Sequence, residues 1–432
     1  MRARNRRLMV AAGVLVLAPA LSWGAGFALY EHGNRAMAMG GAFTAVADDP
    51  AALYWNPAGA AFQAEEGFKV MAGATLIFVG DQTFTGDSPY PGEGYEAEQK
   101  SQVFYPPHLH MIYPINDDMT FNFGVMTPFG LGTWWEEDHA GRFLSKRADL
   151  KVMDFSPSLS LQLNDGIAVG VGIDYLIGQI DLTRQIGVLN PYTQQVADVG
   201  QVHMYTDGMG NDAWGWNVSV LAKSENGFSF GALYRSGFKI TYEGEASFTQ
   251  YLTGYDDFDA AVAGMLPFDE NAELGTEIEF PDMWTMGVAY SRDKVTVSGQ
   301  YGHIGWSSFQ SLAIEFTDYP YLNGETEENY VNVDQYRLGF EYEASEAWAF
   351  QAGALYDNTP QPPESMSPLL GDGDRTGASL GLSWVHGKMR ADLGYLYLWF
   401  DERSTGGQQL EGYDGTYETS AMLFGASLTL TF

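Results

Sequence analysis

Cysteine is absent from the 432 residues, so no disulfide framework holds this fold, although an exported chain is free to use one. Positive charge is scarce. The 22 Lys and Arg face 55 Asp and Glu, a balance that makes nucleic acid an unsuitable partner. Long apolar runs are also missing, apart from one at the start. There Arg2, Arg4, Arg6 and Arg7 precede the run Leu8 to Leu21, and the small residues Ser22 and Gly24 follow at cleavage spacing. This is the pattern of an export signal over residues 1–24, with the mature chain beginning at Ala25. The run is about 14 residues long, short of the roughly 20 that a spanning helix needs. Without a second run, an exported chain that lives in a membrane must cross it as a closed barrel, because hydrocarbon satisfies no backbone polar group.

What is present supports that route. The chain has 51 Gly, 25 Tyr, 26 Phe and 11 Trp, and its mean hydropathy is −0.17 although 45% of its residues are hydrophobic. Apolar and polar residues that alternate give such an average. From Gly67 onward they do alternate, segment after segment, as strands with two different faces require. In the last segment Met422, Phe424, Ala426, Leu428, Leu430 and Phe432 share one face, and Leu423, Gly425, Ser427, Thr429 and Thr431 share the other. One face suits lipid; the other is small and polar.

The connections come in two alternating kinds. Short polar turns sit at Asn116-Asp117-Asp118, Asn164-Asp165-Gly166, Glu225-Asn226-Gly227, Arg292-Asp293-Lys294, Ala344-Ser345-Glu346 and His386-Gly387-Lys388. Long segments lie between them, at roughly 80–106, 128–149, 187–212, 250–280, 307–331, 358–375 and 403–418. Interleaved, they predict an all-β transmembrane fold: an antiparallel β-barrel of about 14 strands over residues 67–432, with long loops outside and both chain ends on the short-turn side. A soluble β-sandwich would instead turn its aromatic face inward. Once the signal is removed, 18 basic residues remain against 55 acidic ones, a formal charge near −37. Runs such as Glu93 to Glu98, Asp256 to Asp259 and Glu325 to Glu328 place much of this charge in the loops, as a solvated acidic surface or as contacts for divalent ions.

A barrel of this size is too wide for its own side chains to fill. Residues 25–66 are the one part of the mature chain that does not read as strand. They are rich in small residues from Gly40 to Ala61 and end in the turn Asn56-Pro57-Ala58, which predicts a small helical hatch plugging the lumen from the periplasmic side.

Three sets of residues are candidates for chemistry. Gly227-Phe228-Ser229-Phe230-Gly231 and Gly377-Ala378-Ser379-Leu380-Gly381 match the Gly-x-Ser-x-Gly pattern of lipases. Both lie in alternating strands with no strand-to-helix turn, so no catalytic residue is expected, and the lipolytic enzyme remains a rival reading. His108 and His110 share a face, either as hydrogen-bonding lumen residues or as a metal pair for which no third ligand suggests itself. Arg235, Arg337 and Arg390 fall on lumen faces, where each is either a partner for a substrate carboxylate or the counter-ion of lumen acids such as Asp154, Asp174, Glu341 and Asp392.

The chain resembles the FadL-type outer-membrane transporters of long-chain fatty acids and other hydrophobic compounds. The residues that carry the resemblance are Ala25-Gly26-Phe27, Asn56-Pro57-Ala58, Thr127-Pro128-Phe129-Gly130-Leu131, Asp392-Leu393-Gly394-Tyr395 and the terminal Phe432. It implies a monomeric passive-diffusion channel in the outer membrane of a Gram-negative bacterium, with no cofactor and no metal. It also implies a hydrophobic groove of outer loops and a sideways exit into the bilayer past the hatch. A structural or adhesive surface barrel is a further alternative. For the groove, the stretch FDAAVAGMLPF places Phe258, Val262, Met265 and Leu266 on one helical face, with Pro267 ending the helix before Phe268; the same stripe would also serve as packing for a cap. Phe27, Phe258, Val262, Met265, Leu266, Phe268, Arg235 and Arg337 are therefore the candidate ligand contacts. Asn56, Pro57, Ala58 and Gly124 are the candidate gate, with the turn resting on the third strand and Gly124 marking a kink. The expected partners are a hydrophobic small molecule, outer-membrane lipid and, through the C-terminal strand, the barrel-assembly machinery.

Overall fold

The computed structural model describes residues 26–80, 82–87, 95–208, 210–268 and 270–432. The export signal, Ala25 and Glu93 lie outside the described residues. Fourteen strands form the wall: β1 (Lys69–Val79), β2 (Pro107–Asn116), β3 (Met119–Trp134), β4 (Arg147–Asn164), β5 (Ile167–Asn190), β6 (Asp212–Lys223) and β7 (Phe228–Arg235), then β8 (Met283–Arg292), β9 (Val295–Ile304), β10 (Val333–Glu343), β11 (Trp348–Asp357), β12 (Arg375–His386), β13 (Met389–Phe400) and β14 (Ser420–Thr431). Each pairs antiparallel with the next, and β14 returns to β1 with Lys69 opposite Thr431, so the ladder closes.

Alternation decides what faces where. Val171, Ile173, Phe350, Leu380, Met422 and Phe424 are exposed on the outside, while Ala168, Asp174, Gln351, Leu423 and Ser427 on the other parity are buried. Rings crowd the short-turn rim, where Phe68 stacks on Phe432, Phe228 meets Tyr290 and Trp348 meets Trp384. Such girdles mark the interface of an outer-membrane barrel.

The ladder does not stop at the membrane. The 24 residues of β5 span ~79 Å at ~3.3 Å each, far more than an apolar band of ~25 Å requires at the usual tilt. Residues expected in loops therefore continue as sheet: β3 runs through Trp134, and further strands form at Gln195–Tyr205 and Asn271–Phe280, on either side of the strand Phe238–Gln250.

Inside the ring sit α1 (Asn34–Ala38), α2 (Ala52–Trp55) and a 3-10 helix at Pro57–Glu66, nearly all of it buried. Gly40 and Gly41 turn the chain after α1 with φ of 64° and 74°, which glycine adopts without strain. The wall holds this hatch mainly by its backbone. The Gln300 side-chain oxygen accepts from the amides of Phe43 and Thr44 at 3.1 and 3.0 Å, and the Ser219 hydroxyl accepts from the Ala58 amide at 2.9 Å. Ser160 donates to the Pro57 carbonyl at 2.7 Å. Close approach needs bare wall: a Cβ at Gly353 would overlap the main chain of Met39 and Gly40. One ion cluster joins hatch to wall. Arg35 forks onto Glu341 of β10 at 2.7 and 2.6 Å while also pairing with Asp48 and Asp49 of the hatch.

Two expectations about the gate are corrected. The Asn56-Pro57-Ala58 turn is hydrogen-bonded to β4 and β6 rather than to β3, and lies against Gly170 of β5: Asn56 donates to the Val220 carbonyl, and Pro57 and Ala58 bond Ser160 and Ser219. Gly124 is not the kink, since it pairs regularly with His110 and Ser156. The register of β3 breaks between Met126 and Phe129, where Pro128 has no amide to give the ladder.

Candidate functional site

Above the hatch, rings close the lumen. Phe27 lies in the middle of them, 4.5 Å from Trp306, 5.7 Å from Phe309, 6.0 Å from Phe280 and 6.3 Å from Phe129 between ring centres. At the outer end, the added strands enclose a cavity of about 340 Å³, bounded by Phe143, Arg184, Ile186, Phe248, Leu266 and Phe316 among others.

Local pattern explains how a charge comes to line an apolar wall. Leu182, Arg184 and Ile186 share one face of β5, and the two aliphatic neighbours pack into the clusters around Val202 and Phe248. Arg184 is held between them opposite Val202. This half-buried guanidinium makes no hydrogen bond or ion pair among the described residues. Burial pulls its pKa down, and among the described residues Glu411 is the charge that acts against that shift. An arginine on an apolar wall with no fixed partner has five donors to offer an anionic group.

The residues expected to bind ligand divide differently. Arg235 is committed to Asp174 at 2.9 Å and to the Tyr54 carbonyl, with Asp154 at 3.6 Å. Arg337 is committed to Asp357 at 3.1 Å and to the Gly40 carbonyl, over the ring of Tyr30. Arg390 holds Asp392 at 2.8 Å. These lumen arginines therefore serve as counter-ions, as buried guanidinium groups must unless a ligand replaces the acid. The outer stripe also splits. Helix α3 is regular over Asp256–Ala263 and gains one more turn, through the bond from the Leu266 amide to the Val262 carbonyl. Phe258 and Val262 are buried against Val199 as loop core; only Leu266 reaches the cavity, with Phe268 packed beside it and Met265 exposed.

The two Gly-x-Ser-x-Gly serines are occupied. Ser229 donates to the Ala45 carbonyl at 2.7 Å; Ser379 donates to the Ala38 carbonyl at 2.9 Å and accepts from the Gly40 amide at 3.0 Å. Both serines fasten the hatch. His108 and His110 stack with ring centres 5.5 Å apart, and no group of three His, Asp or Glu side chains among the described residues is placed to hold a metal ion.

Residues 15–432 match the model of the outer membrane protein transport protein family, OMPP1/FadL/TodX. The chain belongs to this family. The long-chain fatty acid transport protein of Escherichia coli O6:H1 is 26% identical to this FadL-family chain, over 95% of each. The 47 kDa outer membrane protein of Pasteurella multocida is 26% identical over 90% of this chain and 89% of its own. Among solved structures, a Pseudomonas aeruginosa FadL homologue superposes with a TM-score of 0.78 at 20% identity, covering 94% of this chain and all of its own. The Pseudomonas putida toluene transporter TodX gives 0.71 at 18%, over 94% and 99%. The protein is thus an outer-membrane transport barrel and not an enzyme.

Proposed function

We propose that this barrel takes up long-chain fatty acids or closely related hydrophobic molecules by passive diffusion, capturing them in the outer cavity and releasing them past the hatch, sideways where β3 breaks register. The observation that carries the reading is Arg184, a guanidinium without a fixed partner on an otherwise largely apolar wall. An alkyl chain buried in that cavity gains roughly 0.8 kcal/mol per methylene, which favours long tails, and the arginine favours a carboxylate at one end. The relatives named for fatty acid transport agree with an anionic head, whereas the toluene transporter handles a molecule without one.

The test compares two substrates in cells making Arg184→Met. Loss of one charge-assisted contact should weaken fatty-acid binding about tenfold or more and leave uptake of a neutral hydrocarbon unchanged. Equal loss for both substrates with the barrel still folded would overturn the assignment of the head group.

A further inference from the structure

In a chain with 22 basic against 55 acidic residues, three cations meet around one exposed ring on the outside of the wall. Arg147 and Lys151 stand on the outward face of β4, and Lys100 is brought beside them by the bond from its amide to the Trp134 carbonyl at 2.7 Å. Trp134 is opposite Arg147 in the ladder. Both Lys100 and Arg147 lie over its ring, 4.7 and 5.6 Å from the centre, and the negative face of the indole offsets part of their mutual repulsion.

The acids that pair with these cations leave them open to exchange. Asp149 meets Lys151 at 3.1 Å and Arg147 only at 4.0 Å, while Glu137 is shared between Lys100 at 3.4 Å and Lys146. Asp181, opposite Asp149 on β5, pairs with His203. Arg147 makes no hydrogen bond among the described residues. Exposed ion pairs of this kind contribute only about 0–1 kcal/mol, so an incoming anion with better geometry can take their place.

Height above the bilayer selects the anion. The outward face of β4 is apolar as far as Met153, and Phe155, Tyr175 and Trp214 form a row of rings across β4, β5 and β6 with centres 6.4 and 4.7 Å apart. Such a row marks the outer interface. Lys151 and Arg147 lie four and eight residues beyond Phe155, roughly 10 and 20 Å higher at ~3.3 Å per residue and a tilt of ~40°. The head-group layer of an ordinary phospholipid is only about 5–8 Å deep, so its phosphate stops short of Arg147 and Trp134. A lipid whose phosphates are carried on a tall sugar head reaches both.

We propose that Lys100, Arg147 and Lys151, gathered around Trp134, bind the phosphorylated sugar head of an outer-leaflet glycolipid. The guanidinium and the two ammonium groups take the phosphate oxygens, and the acyl chains lie against Met153, Phe155 and Leu159 below. The lipid so held stands beside the upper half of β3, next to the register break. It is on the opposite face of the sheet from Arg184, because Arg147 pairs with the neighbouring Thr183, so this site and the fatty-acid reading stand or fall separately.

The experiment titrates the detergent-solubilised barrel with rough-type lipopolysaccharide, with the same lipid stripped of phosphate and with phosphatidylglycerol, each followed by native mass spectrometry. One saturable copy of lipopolysaccharide is expected. Its affinity should fall about tenfold or more in Arg147→Gln with Lys151→Gln, and by a similar factor when the phosphates are removed, each lost charge-assisted contact being worth roughly that much. The stripped lipid needs no variant, so a folding defect cannot imitate the result. Lys239→Gln, which removes an exposed cation paired with Glu277 outside this cluster, should leave binding unchanged. Equal binding of the stripped lipid, undiminished binding by the double variant or an equal loss in Lys239→Gln would overturn the proposal. Displacement by phosphatidylglycerol at matched concentration would overturn it too, by showing an unselective contact with anionic lipid.

Discussion

Replacing Glu341 by Gln removes the wall's half of the fork that Arg35 makes, and its effect can be worked out from the structure. Two hydrogen bonds of 2.7 and 2.6 Å join a guanidinium to a carboxylate, both buried. Bonds to charged groups contribute about 1.5–3 kcal/mol each; the amide of Gln keeps one weakened acceptor, so about 2–4 kcal/mol is lost. Arg35 still has Asp48 and Asp49, so it is not left as an uncompensated buried charge. At about 1.4 kcal/mol per tenfold, local opening of the hatch should become roughly 30 to 1000 times more frequent. Native-state hydrogen exchange reads this directly: the amides of Met37 and Met39, bonded within the hatch, should exchange faster by that factor while β10 and β11 stay protected. Ser379→Ala, which loses neutral bonds to Ala38 and Gly40 worth about 1 kcal/mol each, should have a smaller effect. Exchange at Met37 and Met39 that stays within about threefold of wild type would refute the reasoning and mean that close packing, not the ion pair, retains the hatch.

Other substitutions separate the remaining roles. Gly353→Val should force Gly40 away from the wall and admit small hydrophilic solutes, read as conductance across a planar bilayer, with the barrel still resisting heat; unchanged conductance would mean that the hatch tolerates the shift. Leu266→Ser should weaken capture at low substrate concentration with normal folding, whereas Phe258→Ser should loosen the outer loop itself, seen as faster proteolysis there; the reverse pattern would exchange their roles. Gly124→Trp would meet Met126, His110 and hatch Leu53, and should slow uptake in a folded barrel; undiminished uptake would count against the sideways route. Glu328 has a folded pKa near 8 against an ordinary 4.5, so its contribution is intact below about pH 4.5, fades as pH rises and is gone above about pH 8. Glu328→Gln should therefore flatten the fall in melting temperature between about pH 5 and about pH 9; an unchanged fall would place the titrating group elsewhere.

The wall was legible because alternation is local: each strand declares its lipid face in its own residues, and polar turns separate strands. The hatch was legible by contrast, as the stretch of small residues without alternation. The outer strands were harder to read because a ladder needs only a neighbour, and the pairing of Phe238–Gln250 with Gln195–Tyr205 depends on chain about 45 residues away. The kink was misplaced because Gly124 permits a bend, while Pro128 withholds the donor that a regular ladder needs. Arg184 was passed over among the arginines. Its local signal was an arginine with Leu182 and Ile186 two residues to either side on one strand face. What sets it apart, the lack of a carboxylate partner, is a property of the folded molecule. Arg235 and Arg337 look alike in sequence and find acids across the lumen.

The seam between β1 and β14 also governs how the protein is made. It joins residues some 360 positions apart, such as Lys69 and Thr431, so the ring closes only after the last strand has emerged. Until then both borders of the growing sheet offer unpaired amides and carbonyls to any other chain. The hatch precedes every strand yet is fastened to Ser160, Ser219, Gln300 and Ser379, far apart around the wall. It gains its anchors progressively as the sheet curls around it. Contacts of such long range are slow to form, and the enclosed segment acts as a template on which the circle is drawn shut.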